Sequence, residues 1–378
     1  MKLLHLADLH IGKKLNGHSL IEDQRAFFQE MYAVVKSEEI DVILIAGDIY
    51  DRSVPSEEST TLFDDVIHTL CVEMKRKVVA IAGNHDSAVR LDFSRNLLAR
   101  QGFHIVGEYR ELVNMIEIEG VQFFLFPFVE PVVIRERYKA LLEAEGVSLS
   151  DYHETMKWIV SKSYPHMNAN KKCVALFHGF VIGTGENPEK EESVKALSVG
   201  GKEYVSEEIF APFDYVALGH LHGARQVKRE RCRYSGSPIK YSFSEKNQDK
   251  FFTVVEVGSD IDVVQIPIVE RIPMVEVRGN VTEILGMDIA PKSYLKVILT
   301  QYELDAMNRL RSKYENVLEL GMDIKSLESS DKIIQSSEIG ELSLVELFQH
   351  FTESVGVELD TLEQEYIEMM SQGVLGER

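Results

Sequence analysis

Short apolar runs rich in Val, Ile, Leu and Phe recur along the chain, around residues 2–7, 41–46, 77–82, 122–128, 173–177, 214–218 and 251–257. Each has the length of a strand, and their continuous apolar character predicts sheets covered on both faces. Between the early runs the period changes. Residues 20–37 place Ile21, Phe28, Met31 and Val35 on roughly one face, and residues 58–74 do the same with Leu62, Val66, Leu70 and Met74. Both segments predict amphipathic helices. A third helix is expected over residues 151–164, which carry Met156, Ile159 and Val160 after Asp151. Alternation of this kind predicts a layered α/β domain rather than a barrel.

The later chain has a different texture. Residues 182–200 hold glycines, a proline and five charged side chains between Glu186 and Glu192, and predict a mobile loop just past His178. Near Pro267–Pro273 the pattern changes to a strand, helix, strand succession at Met274–Val277, Ser293–Thr300 and Leu304–Tyr314. The expected organisation is therefore a large α/β domain over 1–270, a smaller α/β unit over 271–338 and a helical segment over 339–378. In that last segment Ser343 and Glu346 form a capping box, followed by Leu344, Leu347, Phe348, Phe351 and Val355 at helical spacing. A second helix is expected to carry Leu362, Tyr366, Ile367 and Met370. Every charged side chain from Glu338 to Glu377 is acidic, which suits a partner surface better than a phosphate grip.

Composition narrows the function. A chain of 378 residues has room for two domains, and 44% hydrophobic with 27% charged residues describes a globular protein. The net charge of -20 repels a polyanion over most of the surface, so any nucleic-acid affinity must come from a local patch, bound metal or a partner. Cys71, Cys173 and Cys232 form neither a CxxC pair nor a disulfide framework. No apolar run reaches the length of a membrane span. The first residues read as a strand rather than a signal peptide, because Asp8 and His10 interrupt any apolar core, and a cytoplasmic location is expected. No GxxxxGK[ST] loop is present, so ATP hydrolysis would have to come from another chain.

The candidate chemistry lies at strand ends. Asp8-x-His10, Gly47-Asp48-x-x-Asp51, Gly83-Asn84-His85-Asp86, His178-Gly179 and Gly219-His220-x-His222 each follow an apolar run, at the end where open α/β sheets place their ligand sites. Mixed His, Asp and Asn donors without thiolates suit manganese, iron or zinc. The roles predict two ions: one on Asp8, His10 and His222, the other on Asn84, His178 and His220, with Asp48 bridging. Two ions about 3.5 to 4 Å apart can clamp a phosphate and lower the pKa of a water between them. His85, beside a ligand, is the candidate general acid toward the leaving alkoxide, with Asp86 expected to orient its ring. Asp51 is read as support for the site or as a helix cap rather than as a ligand. His5, His18, His68, His104, His153, His166 and His350 lack partner spacing and read as core or surface residues. The basic run Arg225, Lys228, Arg229, Arg231 and Arg233 is equally an exposed hairpin with solvated charges or a track for phosphates.

This set resembles the signature of the calcineurin-like metallophosphoesterases. The spellings Leu4-His5-Leu6-Ala7-Asp8-Leu9-His10-Ile11-Gly12, Phe213-Asp214-Tyr215-Val216-Ala217-Leu218-Gly219-His220-Leu221-His222 and Tyr234-Ser235-Gly236-Ser237-Pro238 narrow it to the SbcD-type nuclease subunits. The resemblance runs from residue 1 to about 257, and all seven ligand positions and the His85 position are filled as in that family. It implies manganese-dependent 3′-to-5′ exonuclease action on duplex DNA ends and endonuclease action on single strands and hairpins. It also implies a homodimer formed through the phosphoesterase domain, a capping domain, and C-terminal helices that bind an SMC-like ATPase, SbcC. The alternative within the same fold is a small-molecule phosphodiesterase or phosphatase, which has no need of residues 271–378. A non-catalytic scaffold on the same fold is the remaining alternative, and the intact ligand set argues against it.

Overall fold

The computed structural model describes residues 1–183 and 204–323, together with Val345 and Thr352. Two six-stranded sheets form its frame. The first runs, in spatial order, Ile261–Pro267, Phe251–Val257, Lys2–Leu6, Val42–Ala46, Lys77–Ile81 and Phe103–Val106. The second runs Arg225–Val227, Arg229–Tyr234, Tyr215–Gly219, Cys173–His178, Val121–Phe126 and Met115–Ile118. In the first sheet the four strands from Lys2–Leu6 to Phe103–Val106 are parallel, and in the second so are the four from Arg229–Tyr234 to Val121–Phe126. Antiparallel partners close the edges.

The two-residue period of a strand explains the layering. Leu4, Leu6, Ile43, Ile45, Val78 and Ala80 turn one way and join Phe28, Met31, Val35, Leu62 and Val66 in one core. Their neighbours Leu3, Val42, Leu44, Val79 and Ile81 turn the other way and meet Phe123, Leu125, Val174, Leu176 and Ala217 of the second sheet. The far face of that sheet packs Phe124, Phe126, Ala175, Phe177 and Leu218 against Met156, Trp158 and Ile159. The result is helix, sheet, sheet, helix, the layered α/β arrangement expected from the sequence. Each fully buried Val, Leu, Ile, Phe or Met side chain among these contributes about 1.5–3 kcal/mol.

The helices form where their periods predict. The first spans Ile21–Ser37. The second spans Glu57–His68, with the Ser56 side chain accepting the Ser59 amide at its start, and continues as a π-helical turn over Thr69–Glu73. The third spans Tyr152–Ser163, where the Asp151 carboxylate accepts the Glu154 amide at 2.8 Å.

Other expectations need correction. Ser293–Thr300 is not a helix but the strand Tyr294–Leu299, and Leu304–Tyr314 holds the helix Ala306–Arg311 rather than a strand. The periods account for the exchange: Leu295, Val297 and Leu299 are buried at spacing two, whereas Ala306, Leu310 and Tyr314 are buried at spacing four. Strands at Met274–Gly279, Tyr294–Leu299 and Asn316–Met322 form a three-stranded sheet, and the helix Val281–Gly286 starts at an Asn280–Glu283 capping box. Of the expected mobile loop, residues 184–200 lie outside the described residues. Phe180–Ile182 before it pairs in parallel with Tyr204–Ser206. The C-terminal stripe from Leu344 to Met370, with its Ser343 and Glu346 cap, likewise lies outside them, apart from Val345 and Thr352, which are helical. The chain forms two compact units, Met1–Glu276 with Ala290–Leu295, and Val277–Ile289 with Lys296–Arg378.

His5 is a core histidine, as its lack of partner spacing suggested. It is fully buried, with Nδ1 accepting the Tyr215 hydroxyl at 2.9 Å and Nε2 donating to the Leu218 carbonyl at 3.2 Å. Burial lowers its pKa to about 3, so the native state holds it neutral while the unfolded chain takes up a proton below about 6.5. Its contribution to stability is therefore complete above pH 6.5 and is lost as pH falls from there toward 3. Urea unfolding midpoints measured across that window should fall less steeply for His5→Gln than for the unsubstituted chain.

Candidate metal centre

All five strands that end in site-like residues finish at one edge of the two sheets. Beyond the strand ends the first two loops remain joined: the Asp8 amide donates to the Gly47 carbonyl at 3.1 Å, and the His10 amide to the Asp48 carbonyl at 2.9 Å. The Asp8 carboxylate in turn accepts the His220 amide at 2.9 Å, which ties the first sheet to the second. Asp8, His10, Asp48 and His220 have φ of 53°, 40°, 50° and 108°. Non-glycine residues enter this region at a cost of about 1–3 kcal/mol each, and such strain gathers where function requires it. The glycines beside them leave room for the ligands. A Cβ on Gly47, at φ 87°, would lie 2.2 Å from the His178 Nδ1, and one on Gly219 would lie 1.9 Å from the Ala46 carbonyl.

The expected ligands come together in two groups that share Asp48. In one, the Nε2 atoms of His10 and His222 are 3.2 Å apart, and His10 Nε2 is 3.5 Å from Asp48 Oδ2. Ligand atoms of Asp8, His10 and His222 converge within 4.8 Å of one another. In the other, His178 Nε2 is 3.4 Å from the same Asp48 oxygen and 3.0 Å from Asn84 Oδ1, which is 3.2 Å from His220 Nδ1. The two histidines of the Gly219–His222 turn thus have different neighbours, His220 lying against Asn84 and His222 against His10. Asp48 Oδ1 accepts the His85 amide at 2.8 Å.

These donors fit cations. His178 Nδ1 donates to the Ala46 carbonyl at 2.8 Å, and His222 Nδ1 to Glu245 at 3.0 Å, so each ring turns an Nε2 lone pair inward. The Asp48 carboxylate, the Asn84 carbonyl and the inward nitrogens are then acceptors facing acceptors, which calls for positive charge between them. Burial pushes His10 and His220 down to about 3, leaving neutral imidazoles suited to coordination. Burial raises the Asp8 carboxyl to about 6, the His178 charge opposing it. Asp48 goes the other way: burial opposes its charge, but the His178 and His10 rings hold it well below the usual carboxylate range. Burial also opposes charge on His178, yet the Asp48 carboxylate prevails and lifts the ring to about 9. The His178 ring thus carries the positive charge beside Asp48 unless a cation takes that place and leaves Nε2 as a ligand.

His85 stands beside the first group, with its ring centroid 4.7 Å from that of His10. Asp86 does not orient it, contrary to the expectation from sequence. Its carboxylate accepts the backbone amides of Ile49 at 3.0 Å, Tyr50 at 2.9 Å and Gly83 at 2.9 Å, binding two ligand loops together. The His85 ring is held by the Asp51 carbonyl, 3.0 Å from Nδ1. Asp51 supports the site in this way and through Lys13, which donates to its carboxylate at 2.8 Å, whereas Ser56 caps the helix.

Several supporting residues carried no motif. Gln24 donates to the His10 carbonyl at 2.8 Å and accepts the Gly12 amide at 3.0 Å, and the Tyr241 hydroxyl donates to the Leu9 carbonyl. Glu245 and Lys250 lie under His222. A Gln three residues into an amphipathic helix gives no signal of its own that it faces a loop. In the basic run, Arg229 pairs with Glu207 and Arg231 with Asp260, both at 3.4 Å, and the Arg225 guanidinium lies 5.8 Å from the Tyr234 ring centre. The run forms the hairpin of Arg225–Val227 and Arg229–Tyr234, and these pairings favour solvated hairpin charges over a phosphate track.

Comparison with known proteins gives the chain a family. Residues 1–224 match the family model described as calcineurin-like phosphoesterase. A curated relative, the SbcD component of the nuclease SbcCD from Staphylococcus epidermidis, is 30% identical over 327 residues, 85% of each chain. Among solved structures, a dimetal phosphatase from Danio rerio is 12% identical with a TM-score of 0.42, covering 71% of this chain and 97% of its own. A Thermus thermophilus protein is 11% identical with a TM-score of 0.38, covering 70% and 98%. No helix among the described residues is long and apolar enough to cross a membrane. The chain belongs to the calcineurin-like phosphoesterases, and within them to the SbcD-type nuclease subunits: it is a metal-dependent phosphoester hydrolase.

Proposed function

We propose that the chain is a DNA nuclease that works on two divalent ions, most favourably Mn2+. The observation that carries this is the position of Asp48 Oδ2, 3.5 Å from His10 Nε2 and 3.4 Å from His178 Nε2, as the shared corner of two ligand groups. Asp8, His10 and His222 would hold one ion and Asn84, His178 and His220 the other, with Asp48 common to both. When bound, such a pair supplies a Lewis-acid clamp on the phosphate and a water of lowered pKa as nucleophile. The protein's own part is to bury Asp8, His10, Asp48 and His178 beneath the more open Asn84, His220 and His222, and to place His85 where it can give a proton to the leaving oxygen. Asp86 fixes the two loops that flank that position.

The reading extends to 3′-to-5′ exonuclease action on duplex ends and endonuclease action on single strands and hairpins, in the cytoplasm. With its net charge of -20, the chain gains its grip on DNA from the metal centre and from an ATPase partner of the SbcC kind. Residues 271–338 are assigned to a cap and 339–378 to partner binding. A homodimer formed through the phosphoesterase domain, within a heterotetramer with that ATPase, completes the reading. The test is digestion of end-labelled duplex and hairpin DNA with manganese, with and without a candidate ATPase, beside a chromogenic phosphodiester. Products shortening from the 3′ end and hairpin opening are expected. Turnover of the small ester alone would reject the DNA reading.

A further inference from the structure

The two ligand groups are braced differently. On the Asn84 side, His178 leans on a neutral backbone acceptor, the Ala46 carbonyl. On the Asp8 side, His222 leans on a carboxylate from a segment 23 residues downstream, with Nδ1 donating to Glu245 Oε1 at 3.0 Å. That carboxylate is buried, and its other oxygen accepts from Lys250 Nζ at 2.6 Å. Lys250 is buried as well, and it returns to the same histidine by donating to the His222 carbonyl at 3.0 Å. Ser237 completes the enclosure: its amide donates to the His222 carbonyl at 3.0 Å, and its hydroxyl lies 2.8 Å from Lys250 Nζ.

A buried Lys–Glu pair is weak evidence for stability, since desolvation offsets much of its attraction. A purely structural pair has no need to touch one histidine at both ring and carbonyl. The circuit from the ring through Glu245 and Lys250 to the carbonyl fixes the rotation of the imidazole and its Nδ1–H tautomer together. It aims the Nε2 lone pair at His10 Nε2, 3.2 Å away. Carboxylates that brace a metal-binding histidine typically change metal affinity about 10- to 100-fold when removed.

We propose that Glu245 and Lys250 are positioning residues of the metal centre, and that they set the affinity of the Asp8–His10–His222 position without affecting the Asn84–His178–His220 position. The inference rests on the two-ion reading. Glu245 touches neither substrate nor ion; it acts through His222, and Lys250 acts through Glu245 and the His222 carbonyl.

The experiment is calorimetric titration of Mn2+ into the metal-free full-length chain and its Glu245→Ala, Glu245→Gln and Lys250→Met variants. It is read beside nitrogen NMR of the histidine rings before metal is added. The unsubstituted chain should bind two ions, with the His222 ring in its Nδ1–H form. Glu245→Ala should weaken one binding step about 10- to 100-fold, leave the other unchanged, and release the ring into a mixture of tautomers. Glu245→Gln keeps the side chain's size and one acceptor oxygen, so it should hold the tautomer and lose less affinity. Lys250→Met should weaken the same step. If Glu245→Ala and Glu245→Gln bind both ions as the unsubstituted chain does, the positioning role is overturned. If the unsubstituted chain itself binds fewer than two ions, the two-ion reading fails, and the tautomer comparison still decides whether Glu245 orients His222. Loss of both steps together would assign the pair to the fold rather than to one position.

Discussion

Asp48→Asn should lower metal-dependent cleavage about a thousandfold or more, equivalent to about 4 kcal/mol at 1.36 kcal/mol per tenfold change. The substitution conserves size and keeps an oxygen to accept the His85 amide, which Asp48 Oδ1 now takes at 2.8 Å. It removes the negative charge that both nitrogen groups face. His10 and His178 approach this carboxylate from opposite groups, and no other described side chain lies at ion-pair distance from both. A single loss should therefore disturb both ions, where substitution of Asn84 or His222 should disturb one. Metal counting on the purified variant, with its unfolding midpoint measured in chelator, separates this from simple misfolding. Two ions retained at unchanged affinity would count against a bridging role.

His85→Ala should behave in the opposite way, keeping metal and losing cleavage by about 10²- to 10⁴-fold, the range for a positioned proton donor. Its ring is anchored through Nδ1 to the Asp51 carbonyl, 3.0 Å away, and not to any carboxylate. That anchor leaves Nε2 for the substrate. His85→Asn, whose amide can donate near the Nδ1 position but does not reach the Nε2 position and cannot act as an acid, should match the alanine variant. Substrates with a better leaving group should recover part of the loss, because they depend less on protonation. Turnover of such a substrate reduced as much as that of DNA would assign His85 to positioning instead.

Much of this centre was legible in the chain because its ligands sit at the ends of apolar runs. Asp8, Asp48, Asn84, His178 and His220 follow strands of unmistakable length, and alternate residues of those strands build the two faces of the sheets. His220 and His222 were divided by counting ligand roles, since residues two apart on an extended chain point the same way; in the structure His222 lies against His10 and His220 against Asn84. What sequence could not supply was contact made through backbone. Asp86 adjoins His85 in the chain, and adjacency predicted a side-chain pair; the carboxylate instead satisfies three amides of the neighbouring loops. The same holds for the Asp51 carbonyl and for Gln24. Glu245 and Lys250 reach His222 from a segment whose sequence has no strand or helix period to mark its direction. In the smaller unit, Ser293–Thr300 and Leu304–Tyr314 exchanged roles because short apolar stretches satisfy both periods until burial distinguishes them.

The central claim is two ions that share Asp48 and divide the histidines of the Gly219–His222 turn. Anomalous diffraction at the manganese edge, on crystals grown with Mn2+, measures it directly. Two peaks are predicted, one against Asp8, His10 and His222, the other against Asn84, His178 and His220, both touching the Asp48 carboxylate. A single peak, or one ion bound by both His220 and His222, would contradict the account.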